Sequence, residues 1–220
     1  MKKTVIHFIR HGQTIYNLEQ RIQGTIDIDL SEVGIKQAEN IPADKFLKDY
    51  DVAFHSSLTR SEDTLDIVLN KVKKPIIKKL SNLIIERSYG CFEGLKDHMI
   101  KLKYPKIYNE WISNENVAIE NAESIESVII RANIFINYVV NQNYGRVLAV
   151  THSGFLFALY KFITNTDLSE RPKNVHFPNC CSVYLDVYHS NNNVQKLELH
   201  IGEHTYVNSS SPTEMIVTTT

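Results

Sequence analysis

Two apolar runs that each end in a histidine constrain this chain more than any other feature. Val5 to Ile9 leads into Arg10-His11-Gly12, and Val147 to Val150 leads into Thr151-His152-Ser153-Gly154. In an open α/β sheet, reacting groups gather in the crevice outside the carboxyl ends of the strands, where a glycine lets backbone approach a ligand closely. One such histidine is commonplace. Two of them point to a single site holding a pair of imidazoles, one beside a fixed cation, and an imidazole so placed can attack phosphorus.

Val5 to Ile9 (apolar but for His7), Val52 to Phe54 and Val147 to Val150 are short apolar runs followed by residues of helical character. That is the signature of buried parallel strands alternating with helices. The C-terminal part changes to strict alternation, with Cys181, Val183, Leu185 and Val187, then Leu197, Leu199 and Ile201, joined by the turn Ser190 to Asn193. These positions predict strands buried on one face. Apolar residues at three- and four-residue spacing predict a helix over 124–141. Thr59-Arg60-Ser61-Glu62 fits a capping box opening another helix, which places Arg60 in its first turn. Ser31 is the expected N-cap of a helix running to Asn40, with Pro42 beyond its end.

The expected architecture is a three-layer α/β/α sandwich with a mostly parallel central sheet, as one domain over 1–207. Residues 95–123 are expected to form short helices and loop covering the crevice. Residues 208–220, small and polar, are expected to be a loosely held tail.

With 220 residues, 24 basic and 25 acidic side chains and a net charge of −1, the chain has no global field that would draw nucleic acid or an anionic membrane. No stretch approaches the length of a transmembrane span, and the apolar run after Met1-Lys2-Lys3 is too short and interrupted for a signal peptide. Cys91, Cys180 and Cys181 are odd in number and fit neither a disulfide framework nor zinc spacing, so a reducing cytoplasm is expected. His55, His98 and His176 are scattered, which leaves a metal at His11 and His152 without further ligands; no metal and no cofactor is expected. Oligomeric state is not legible in the sequence.

Phosphoryl transfer needs a nucleophile, donors around the equatorial oxygens and an acid for the leaving alkoxide. His11 is the candidate nucleophile, with neighbouring cations expected to keep its attacking nitrogen unprotonated. Arg10 and Arg60 offer planar forks suited to phosphate oxygens. His152 could donate to an oxyanion, and Asn17 could add an amide donor. Glu86 follows the apolar stretch Leu83-Ile84-Ile85, which would keep its carboxyl partly desolvated, as a general acid requires.

Taken in order, several motifs resemble the histidine phosphatase superfamily, also called phosphoglycerate mutase-like. They are Arg10-His11-Gly12-Gln13-Thr14 with Asn17, Arg21-x-Gln23-Gly24, Asp29-Leu30-Ser31 with Gly34, Ser56-Ser57-Leu58-x-Arg60-Ser61, Glu86-x-x-x-Gly90-x-x-Glu93-Gly94, and Thr151-His152-Ser153-Gly154. The resemblance covers about residues 4 to 190. It implies a Rossmann-like sandwich in which His11 is phosphorylated, Arg10, Arg60 and His152 form a phosphate pocket, and Glu86 donates the proton. It also implies that Asn17, Gln23, Gly24, Tyr89 and Ser153 lie near the phosphate or substrate. Where many such phosphatases carry Gly-Glu-Ser, this chain has Ala122-Glu123-Ser124.

The expected activity is a metal-independent phosphomonoesterase acting on a small phosphorylated metabolite. The alternatives are a phosphoglycerate mutase working on the same site and a catalytically weak phosphate-binding module. Between Leu95 and Ser127 the cations are Lys96, Lys101, Lys103 and Lys106, with no arginine, which favours hydrolysis over mutase chemistry.

Overall fold

A computed structural model describes residues 1–46, 49–72 and 74–209. In chain order the elements are β1 (Lys2–Arg10), α1 (Ile15–Leu18), α2 (Glu32–Glu39), β2 (Val52–His55), α3 (Thr59–Leu69), β3 (Lys78–Leu80), α4 (Asp97–Lys103), α5 (Pro105–Ser113), α6 (Ile125–Asn141), β4 (Arg146–Thr151), α7 (Ser153–Thr164), β5 (Ser182–Ser190), β6 (Asn193–Ile201) and β7 (His204–Asn208). The seven strands form one sheet in the order β3-β2-β4-β1-β5-β6-β7.

Side chains of β1 and β4 alternate between two buried faces. Ile6, Phe8, Val147 and Ala149 pack with α6 and α7, whereas Ile9, Leu148 and Val150 pack with Leu65 and Val68 of α3. Helices on both faces leave these strands almost wholly apolar, the buried His7 of β1 being bonded to Tyr50 and Ser182. The three-layer expectation holds. The sheet is more evenly mixed than expected, however: β3, β2, β4 and β1 pair in parallel, and β1-β5, β5-β6 and β6-β7 pair antiparallel. The β5-β6 hairpin turns on Asn191 and Asn192, at φ 49° and 63°, the left-handed pair that matches strand twist.

The helix read from 124–141 is α6, with Ser124 Oγ accepting from Ser127 N at its N-cap. Ser31 caps α2 in the same way, accepting from Gly34 N at 3.1 Å. The capping box at Thr59 does not form. The helix starts where expected, but Thr59 N and Oγ1 both donate to the carboxylate of Asp27, each at 2.8 Å. A carboxylate far away in sequence satisfies the helix N-terminus in place of a local Glu62 bond.

Strands β3 and β7 have no counterpart in the apolar patterning. The first is three residues of an edge, Lys78-Lys79-Leu80. The second moves the start of the expected tail, because Asn208 pairs with Leu197 of β6 and donates from Nδ2 to Phe162 O at 3.2 Å. Residues 210–220 of that tail lie outside the described residues.

Residues 95–123 carry α4 and α5 around their own small core of Phe92, Ile100, Tyr108 and Ile119. They are tied to α7 and to the chain after it. Lys161 Nζ lies 3.0 Å from Glu115 Oε2, and the Arg171 guanidinium sits 4.6 Å from the Trp111 ring.

Candidate active site

The parallel register of β1 and β4 sets Arg10 opposite Thr151, so the next residues, His11 and His152, leave the sheet side by side. Their ring centroids are 5.0 Å apart and the rings are tilted by 53°. His11 N donates to Thr151 O at 3.0 Å, which fixes this divergence point. His11 Nδ1 lies 2.7 Å from Gly12 O. A carbonyl only accepts, so Nδ1 carries the proton and Nε2 keeps its lone pair. Burial, reinforced by the charges of Arg60 and Arg10, holds the His11 pKa well below 6.5. Desolvation thus outweighs the cations that the sequence singled out. At Gly12 the chain approaches another backbone closely, since a Cβ there would lie 2.6 Å from Gly34 O.

Arg10 ends β1 and donates from Nη1 to Phe177 O at 2.5 Å. Arg60, in the first turn of α3 and fully buried, donates to Ile26 O and Gly24 O, both at 2.7 Å. These bonds fix each guanidinium without using all of its donors. Arg10 Nε, Arg60 Nε and His152 Nδ1 are buried with no hydrogen-bond partner among the described residues. His152 Nε2 lies 2.8 Å from Ser56 Oγ. Buried polar atoms are normally paired, so two guanidinium N–H groups and an imidazole nitrogen left unpaired beside His11 could receive an anion.

Glu86 is only 8% exposed. Its surroundings differ from the apolar setting expected: Oε1 accepts from Arg87 N at 2.8 Å and Phe155 N at 3.2 Å, and Oε2 accepts from Gly154 N at 3.2 Å. The carboxyl is thus held against the N-terminus of α7 by backbone donors. Two bonds fall on Oε1 and one on Oε2, which leaves Oε2 the freer atom for a proton.

The remaining expected residues line the same loops. Asn17 Oδ1 accepts from Thr14 N at 3.2 Å, and Gln23 Oε1 accepts from Thr14 Oγ1 at 2.7 Å, so both amides have their NH₂ ends left to offer. Gly24 contributes its carbonyl to Arg60. The Tyr89 ring lies 5.2 Å from the Arg87 guanidinium, and burial followed by the charge of Glu86 raises its phenol pKa. Ser153 is the first residue of α7, half-buried.

The sequence model of the histidine phosphatase superfamily (branch 1) matches residues 6–200. This chain is a member of that family. It is 34% identical over 165 residues to a metal-independent phosphoserine phosphatase of Arabidopsis thaliana, spanning 73% of this chain and 69% of that one. It is 30% identical over 171 residues to a 2,3-bisphosphoglycerate-dependent phosphoglycerate mutase of a Bradyrhizobium strain, spanning 72% and 80%. Its fold superposes on a mycobacterial glucosyl-3-phosphoglycerate phosphatase with a TM-score of 0.78 at 22% identity, covering 91% of this chain and 98% of the other.

Four residues of this histidine phosphatase take part in the site without having been singled out as site residues. Ser56 and Thr14 orient His152 and the two amides, and both stood inside quoted motifs. Glu93 Oε1 accepts from Tyr89 N at 2.9 Å and from Thr25 N at 3.1 Å, joining the Glu86 loop to the Gly24 loop. Asn179 donates to His11 O, and nothing in the local pattern marks it. Away from the site, Asp186, Glu198 and His200 could group their ligand atoms within 4.8 Å. The two carboxylates already pair with Lys3 and Lys196, each at 2.5 Å.

Proposed function

We propose that this protein is a metal-independent phosphomonoesterase that hydrolyses a small phosphorylated metabolite through a phosphohistidine on His11. The observation that carries this is the set of three unpaired buried nitrogens, Arg10 Nε, Arg60 Nε and His152 Nδ1, gathered with an imidazole whose Nε2 is free. Nε2 attacks phosphorus as the ester P–O bond breaks, and the donors stabilise charge on the equatorial oxygens. Glu86 gives its proton to the departing oxygen. The resulting carboxylate then takes a proton from water as that water attacks the phosphohistidine, which releases phosphate and restores both groups.

The phosphatase relative supports a small phosphomonoester such as phosphoserine as the first substrate to try. Three free cysteines support a cytoplasmic setting, and among the described residues no helix is long and apolar enough to cross a membrane. A panel of phosphate esters including phosphoserine, assayed in chelator beside His11→Ala, tests the proposal. Release of phosphate from at least one ester, lost in His11→Ala, is expected. Turnover retained in His11→Ala, or activity abolished by chelator and restored by a divalent ion, would refute it.

A further inference from the structure

The residues just before β5 grip the nucleophile loop from its far side. Arg10 N donates to Cys181 O at 3.1 Å, Cys180 N donates to Arg10 O at 3.0 Å and less closely to His11 O at 3.4 Å, and Phe177 O receives Arg10 Nη1. Cys180 reaches this position at φ 59°, in the left-handed region. In the middle of the grip stands Asn179, whose Nδ2 donates to His11 O at 2.9 Å and to Asn17 Oδ1 at 3.3 Å.

The polarity of this arrangement is fixed from both ends. His11 O can only accept, so the Asn179 atom facing it is the NH₂ group. Thr14 N can only donate, so the Asn17 atom facing it at 3.2 Å is Oδ1. Asn17 Oδ1 therefore receives Asn179 Nδ2 together with Thr14 N and, at 3.4 Å, Thr14 Oγ1, and its Nδ2, with no partner among the described residues, is the end left to offer.

We propose that Asn179 is a positioning residue that locks the Asn17 amide with its donor end toward the phosphoryl group. This rests on the phosphatase assignment, in which Asn17 is a phosphate donor. Both contacts of Asn179 are donations from one nitrogen, so aspartate, of the same shape, reverses them. A carboxylate at 179 would face His11 O and Asn17 Oδ1, two acceptors. Asn17 is then pulled two ways, because turning its NH₂ toward residue 179 sets that NH₂ against Thr14 N, and either outcome displaces the amide donor from the phosphoryl group. Alanine at 179 removes the lock without inverting it.

The test is a double-mutant cycle read by inorganic phosphate, measured by calorimetry and as competitive inhibition of p-nitrophenyl phosphate hydrolysis. Asn179→Asp should weaken phosphate binding on the order of 10²-fold, and Asn179→Ala by about tenfold, given what an inverted and a missing hydrogen bond do. In an Asn17→Ala background the same two substitutions should change phosphate affinity by less than about threefold, since the group they act through is gone. Equal losses in both backgrounds, or Asn179→Asp binding phosphate as wild type does, would overturn the proposal. If Asn179→Asp fails to fold, the Asn179→Ala arm of the cycle decides by the same comparison. Wild-type protein that binds phosphate but hydrolyses no ester would sink the phosphatase assignment and leave the lock standing.

Discussion

Glu86 and Gly154 share one space: a Cβ on residue 154 would lie 2.4 Å from Glu86 Oε1, closer than any real contact. The glycine is there because the carboxyl rests on the backbone N–H groups of residues 154 and 155. Adding one methyl should therefore push Glu86 out of its seat. General acids contribute about 10² to 10⁴-fold, so Gly154→Ala and Glu86→Gln should each lower kcat on alkyl phosphates by that order. Both losses should shrink on p-nitrophenyl phosphate, whose leaving group needs little protonation. An equal loss on the two substrate classes would mean that Glu86 only positions the substrate.

Ser56 should act through His152. Its hydroxyl lies 2.8 Å from Nε2 and is the ring's one hydrogen-bond partner among the described residues, while Nδ1 has none. Removing a neutral hydrogen bond of about 1 kcal/mol predicts roughly fivefold lower kcat/KM for Ser56→Ala. His152→Ala removes the oxyanion donor itself and should cost about 10² to 10³-fold in kcat. Steady-state kinetics of the two single variants and the pair would show it: with His152 gone, Ser56→Ala should do little more.

The fold was legible wherever burial on two faces wrote an apolar run, as at Val5 to Ile9 and Val147 to Val150, and the site followed from the residues that end those runs. It was not legible where pairing is carried by backbone alone. Lys78-Lys79-Leu80 has no apolar period because an edge strand buries little, and Thr59 looked self-capped because Asp27, which caps it, is 32 residues away. Glu86 shows a third kind of gap. Its position after Leu83-Ile84-Ile85 foretold burial, but the backbone donors that hold it come from α7, which only the folded chain brings near.

Stability should fall with acid between about pH 6.5 and 5. The buried His7, bonded to Tyr50 Oη at 2.7 Å and Ser182 Oγ at 2.9 Å, has its pKa lowered by burial, then by Arg146 and Lys45, to about 3. His11 and His152 are lowered as well, with burial again the leading cause. A histidine whose folded pKa is depressed stays neutral in the native state while the unfolded chain takes up a proton below about 6.5. The unfolded state then binds more protons, and stability drops as pH falls toward the folded value. Each such histidine contributes about 1.4 kcal/mol per pH unit inside that window. Urea unfolding from pH 6.5 to 5 should show a slope shallower by about one proton in His7→Gln. An unchanged slope would mean that His7 titrates alike in both states.

Hydrolysis should prevail over mutase activity, although the relatives include phosphoglycerate mutases. A mutase must hold a small, highly anionic acceptor at the phosphohistidine, and bidentate arginines do this best. Arg87 is the arginine nearest to that task in sequence, following Glu86 directly. It is 4% exposed, donates from Nε to Glu123 O at 2.9 Å and lies against the Tyr89 ring. Its guanidinium is thus engaged with protein groups. The segment from Leu95 to Ser127 adds only lysines as cations, and Lys103 is placed over the ring of Tyr104. Water should therefore reach the phosphohistidine before a second acceptor is bound. Purified enzyme supplied with 3-phosphoglycerate should release inorganic phosphate at least as fast as it forms 2-phosphoglycerate, whether or not 2,3-bisphosphoglycerate is added. Interconversion much faster than phosphate release from every ester tested would assign the chain to the mutases.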